Sequence, residues 1–131
     1  FDLANGRLVS SGKVFTSGGV IDFKADSLLT EEYPRLNFEF VFWIEDMKKL
    51  LKKVLIRKEV SLNKFKLSAK GSLNLLNKKV NLKSINIDND YNANSEDLKY
   101  FKETFENTLL KNDFLNIFKL SEMKKFILEI I

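Results

Sequence analysis

The stretch Phe65-Lys66-Leu67-Ser68-Ala69-Lys70-Gly71-Ser72-Leu73-Asn74-Leu75 decides the fold. Phe65, Leu67, Ala69, Gly71, Leu73 and Leu75 share one phase, while Lys64, Lys66, Ser68, Lys70, Ser72 and Asn74 share the other. Side chains along a β-strand point alternately to opposite faces, so a period of two over this length reads as one long strand with an apolar and a polar side. Asn77-Lys78 then reads as a hairpin turn, and Val80 and Leu82 begin the returning strand. Ile85 and Ile87 fall on the opposite phase, so a bulge is expected near Lys83-Ser84, where one extra residue restores the apolar face.

Upstream, Leu36, Phe38, Phe40 and Phe42 alternate with Asn37, Glu39, Val41 and Trp43. A third alternation sets Ile21, Phe23 and Ala25 against Asp22, Lys24 and Asp26. Residues 1–30 read as short strands separated by turns, with Asn5-Gly6 and Gly18-Gly19 as turn dipeptides and Gly12 as a further breaker. Strands joined by tight turns pair antiparallel. The central members expected are 35–43, 62–76 and 79–88, with Phe38, Phe40, Phe65 and Leu67 buried together.

The period changes to helical over residues 46–56. Met47, Leu50, Leu51, Val54 and Leu55 recur at i, i+3, i+4, i+7 and i+8, with lysines on the other side and Asp46 as N-cap. A polar loop over 88–95 leads to a second helix, capped by Asn94 or Ser95, with Leu98, Phe101, Phe105 and Leu109 as its apolar stripe. Asn112-Asp113 interrupts, a short segment follows at 114–118, and a last helix from Ser121 turns Met123, Phe126, Ile127 and Ile130 inward. The expectation is a single α+β domain over residues 1–131, an antiparallel sheet of long amphipathic strands packed against about three helices. Its start in domain-like sequence at Phe1 reads as a piece of a longer protein.

Composition narrows function by exclusion. With no Cys and no His, thiolate metal sites, cysteine nucleophiles and imidazole bases are unavailable. The remaining acids have ready structural explanations. Glu45-Asp46 and Glu96-Asp97 sit in the first turns of the expected helices, where the helix dipole favours negative charge. Asp88-Asn89-Asp90 resembles the start of a calcium loop, but an EF-hand needs Gly at its sixth position and an acid at its twelfth, and Ala93 and Lys99 stand there. Gly18-Gly19 lacks the following Lys-Ser/Thr and helix of a phosphate-binding loop. A non-enzymatic chain with no metal and no cofactor is expected.

The net charge is +4, but it is unevenly placed: residues 45–85 hold twelve Lys or Arg against three acids. Nineteen of the 22 basic residues are Lys, which suits an AT-rich coding bias better than a nucleic-acid reader built on the planar fork of Arg. No aromatic residues interleave Lys64, Lys66 and Lys70 as a single-strand platform would require. Two readings of this basic region stay open, a phospholipid or membrane surface and an acidic protein partner. Trp43 lies opposite Phe38 and Phe40 at a strand end, where an indole suits a boundary between apolar and wet. Lys48, Lys49, Lys52 and Lys53 are close in sequence and can each meet a lipid phosphate as a point charge. Phe42, Trp43, Lys48, Lys49, Lys52 and Lys53 are therefore the candidate lipid-binding residues. The competing reading has Trp43 closing the core and the lysines as a solvated helix face.

Asn5 to Val14, continuing to Gly19-Val20-Ile21-Asp22-Phe23-Lys24-Ala25, resembles the carboxy-terminal part of AsmA-like envelope proteins, as does Phe65 to Leu75 with Val80 to Ile87 returning. The likeness lies in short, glycine-punctuated amphipathic strands and covers residues 5–26 and 62–88. It implies a periplasmic segment of an inner-membrane-anchored parent, associated with phospholipid movement, in which apolar strand faces line a lipid path. It carries over no catalytic residue.

Overall fold

The computed structural model describes residues 2–59, 61–88, 90–111 and 119–130. In chain order the elements are β1 (Asp2–Ala4), β2 (Arg7–Thr16), β3 (Gly19–Leu28), β4 (Arg35–Ile44), α1 (Met47–Lys53), β5 (Phe65–Asn74), β6 (Val80–Ile87), β7 (Tyr91–Asn92), α2 (Ser95–Leu109) and α3 (Leu120–Ile130). The seven strands form one antiparallel sheet in sequence order, each pairing with the next. The fold is α+β, as the alternations and helical periods predict.

Register explains the faces. Cross-strand partners lie on the same side of a sheet, and Gly12, Phe23, Phe40, Ala69 and Ile85 form one continuous row across five strands. The row Val14, Ile21, Phe42, Leu67 and Ile87 runs beside it. The other face carries Ser11, Lys24, Glu39, Lys70 and Ser84 in register, with an ion pair of 3.2 Å between Lys70 and Glu39. The bulge falls where the phase change places it: Lys70 pairs with Ser84 and Gly71 with Leu82, leaving Lys83 as the extra residue.

The first thirty residues depart from expectation. Beyond the three-residue β1 they form two ten-residue strands rather than several short ones, and Gly12 lies inside β2 instead of ending it. The reason is on the neighbouring strand. The Phe23 ring lies over Gly12, close enough that a Cβ there would approach it to 3.1 Å. Gly71 is covered in the same way by Phe38, at 2.8 Å. An aromatic ring laid over a strand glycine replaces the packing that the missing side chain would have supplied.

The best-buried part of the core is displaced from the expected one. Phe38, Phe40, Phe65 and Leu67 share a face but are each only half-buried. The sealed cluster is Leu73, Val80 and Leu110, with Leu36, Phe38, Leu75, Leu82 and Phe105 packed against it. It lies where α2 crosses β6 on the apolar face. Phe105 of α2 meets Phe126 of α3 edge-on, with ring centroids 5.6 Å apart. The Tyr100 hydroxyl donates to the Glu129 carbonyl at 2.6 Å. Glu106 joins the layers, since its carboxylate accepts the Val80 amide at 2.7 Å. Asn94 caps α2 by accepting the Asp97 amide at 2.9 Å. The expected interruption at 112–113 and the segment at 114–118 lie outside the described residues.

Candidate functional site

Phe42 and Trp43 are consecutive in β4, so their side chains leave opposite faces of the sheet. Phe42 belongs to the apolar row with Val14, Ile21 and Leu67. Trp43 belongs to a row on the polar face, Phe15–Val20–Trp43–Lys66. It is 47% exposed, and the Lys66 ammonium lies 4.7 Å from the centre of its ring. That is a cation–π contact, which orients the indole without burying it. The structure therefore does not bring Phe42 and Trp43 to one surface, and Trp43 does not close the core.

Helix α1 follows directly on Ile44 and is tied to that end of the sheet. The Gly18 carbonyl accepts the amides of Glu45 at 2.8 Å and Asp46 at 3.0 Å. Asp46 is the N-cap, as expected, accepting the Lys49 amide at 3.0 Å. Asn63, just before β5, satisfies two further first-turn amides, those of Met47 at 2.9 Å and Lys48 at 3.1 Å. Lys48, Lys49, Lys52 and Lys53 are all exposed. Lys49 makes one ion pair, to Asp46 at 3.9 Å. In this respect the four lysines form the solvated helix face, and they lie at the same end of the sheet as Trp43 and Lys66.

Leu55 corrects the helical reading. Its period assigned it to the inward stripe, but the helix ends at Lys53 with Val54 as C-cap. Leu55 has φ of 60° and is 70% exposed. The Ile56 amide donates to the Leu51 carbonyl at 2.9 Å and the Leu55 amide to Lys52 at 3.1 Å, the paired bonds of a Schellman ending. Leu51 and Ile56 are both buried, as that ending's hydrophobic contact requires. The turn that buries Ile56 thereby turns Leu55 outward.

Two acidic groups outside α1 act as hydrogen-bond acceptors that tie elements together. Asp88 accepts the Lys66 amide at 2.8 Å, and Asp97 accepts the Tyr91 hydroxyl. Among the described residues no group of three or more acidic side chains is placed to hold a metal ion, and no helix is long and apolar enough to cross a membrane.

Two surfaces thus remain. One is the apolar face over β2–β4, where Val14 is 47% exposed and Ile21, Phe23, Phe40 and Phe42 are half-buried. The other is the α1 end, with Trp43, Lys66 and the helix lysines. Phe15, at 77% exposure, and Lys66 belong to the second surface and were absent from the sequence-predicted site. Only strand register shows that Lys66 is beside Trp43 and that Phe15 lies in the same row, one strand beyond Val20. Comparisons with family models, curated proteins and solved structures found no match.

Proposed function

We propose that this chain is a non-enzymatic domain of a bacterial envelope protein that shields or guides lipid acyl chains on its apolar sheet face. The observation that supports it is the uneven cover of that face. Helix α2 packs over β6 and seals Leu73 and Val80, whereas the rows through β2, β3 and β4 keep large apolar side chains half-open. A half-open apolar strip on a strand face suits an acyl chain, which needs area and no hydrogen bonds. Its resemblance to AsmA-like proteins adds a place to this reading, the periplasmic side of an inner-membrane-anchored parent.

The test is capture of lipid by the purified protein. Native mass spectrometry is expected to show co-purifying phospholipid, and titration with a fluorescent fatty acid is expected to saturate at low stoichiometry. Phe40→Gln, in the middle of the strip, is expected to lower that affinity at least ten-fold. Absence of bound lipid together with no saturable uptake would refute the reading. A small interaction domain using its basic end on an acidic protein partner would then stand.

A further inference from the structure

We propose that the α1 end of the sheet is a docking surface for an anionic bilayer, with Leu55, Phe15 and Trp43 as its apolar anchors. This surface is separate from the acyl strip on the other face and does not depend on it.

Charge is the first observation. Residues 45–66 carry eight Lys or Arg against three acids, while the whole chain nets only +4. This segment therefore nets +5 and the rest of the molecule −1, although Lys70, Lys78, Lys79 and Lys83 lie outside it, so the densest positive charge is at this end. Topology gathers these residues there. The turn between β2 and β3, the passage from β4 into α1, and the return into β5 all lie at one end of the strands. Lysines are exposed along α1, with Arg57, Lys58 and Lys64 beyond it. Juxtamembrane basic residues gain from the negative surface potential of anionic lipid, and the gain falls off within a Debye length.

The second observation is apolar. Phe15, Leu55, Leu62 and Trp43 are 77%, 70%, 46% and 47% exposed; Phe15 and Trp43 lie in the strand row next to the last at this end, and Leu55 and Leu62 in the connection from β4 to β5. Leu55 is the most informative. It occupies the residue after the helix C-cap at φ 60°, a left-handed conformation that glycine adopts freely and leucine does not. The Schellman ending would be served better by glycine, and leucine there gains little burial in the fold, being 70% exposed. An apolar side chain held outward at conformational cost, in a segment that carries eight cationic residues, is what an interfacial anchor requires. Trp43, amphipathic and topped by Lys66, suits the headgroup level.

The experiment is co-sedimentation of the chain with vesicles of equimolar phosphatidylglycerol and phosphatidylcholine, against phosphatidylcholine alone. Binding is expected to the anionic vesicles only. Each Lys→Gln substitution in α1 is expected to lower partition about five-fold. Leu55→Gly is expected to raise Tm, because its φ suits glycine, and yet to lower partition about ten-fold. Trp43 emission is expected to be quenched by brominated phosphatidylcholine included in the vesicles. Equal binding to both vesicle types would overturn the proposal, as would an unquenched Trp43. So would a Leu55→Gly variant that binds as tightly as the unaltered chain, which is the behaviour of a basic patch made for a soluble acidic protein. Lipid capture by the Phe40→Gln variant is scored without vesicles, so either reading can fail alone.

Discussion

Replacing Glu106 by Ala tests how the helical layer is held on the sheet. Glu106 projects from α2 with its side chain only 11% exposed. Its carboxylate accepts the amide of Val80, the first residue of β6, at 2.7 Å. Val80 is 3% exposed and is one of the three residues of the sealed cluster, so its amide has poor access to water once the carboxylate is gone. An orphaned buried donor that had a charged acceptor costs about 2–3 kcal/mol. The Lys79 ammonium, 3.4 Å from the same carboxylate, adds little, because its side chain is 66% exposed and solvent screens the pair. Glu106→Ala is therefore expected to lower unfolding free energy by about 2–3 kcal/mol, Glu106→Gln by about 1 kcal/mol because an acceptor oxygen remains, and Lys79→Ala by less than about 0.5 kcal/mol. Urea denaturation followed by circular dichroism measures all three, provided the m-value is unchanged. Hydrogen exchange gives a local readout: the Val80 amide is expected to lose protection in Glu106→Ala and keep it in Lys79→Ala. A loss below about 0.5 kcal/mol for Glu106→Ala, or an equal loss for Lys79→Ala, would refute the assignment of the hydrogen bond as the dominant tie.

Truncation across the apolar face should follow its cover: Leu73→Ala, at 6% exposure, is expected to cost about 3–4 kcal/mol, and half-buried Phe40→Ala about 1–2 kcal/mol, by the same denaturation assay. Equal costs would mean that the strip over β2–β4 is sealed. Ser27 is fully buried with its hydroxyl unpaired, between Leu8 and Leu36 in register, so Ser27→Ala is expected to stabilise by about 1 kcal/mol, and a loss would reveal a partner for the hydroxyl. Donation to the Asp97 carboxylate, then desolvation, then the repulsion of that charge raise the Tyr91 pKa above its ordinary value of 10.0. A raised pKa means that the folded state favours the protonated phenol, so the tie between β7 and α2 is whole below 10.0 and is lost as pH climbs through the raised value. Ultraviolet titration is expected to show one late tyrosine that returns to the ordinary range in Asp97→Asn.

Much of this molecule is determined within a few residues of any given position. The period of two along 36–43 and 65–75 assigns each side chain to a face, because the pleat leaves no other choice. A change of phase between Leu82 and Ile85 can be absorbed only by an extra residue, and Lys83 is that residue. Asp46 and Asn94 announce their helices because exposed first-turn amides need an acceptor.

What tertiary structure decided depends on partners distant in sequence. Gly12 reads as a breaker until Phe23, eleven residues on, lies over it. Leu55 fits the helical stripe until the chain reverses to bury Ile56, which sends the leucine outward. Register across β2, β3, β4 and β5 aligns Phe15, Val20, Trp43 and Lys66, four residues that no local pattern connects. Above all, periodicity marks a face as apolar without saying what covers it. Cover depends on where α2 lands, and Glu106 and Phe105 place it over β6, leaving the rows of β2–β4 half-open. The candidate function rests on that difference, which arises from contacts between a helix and strands that lie far apart along the chain.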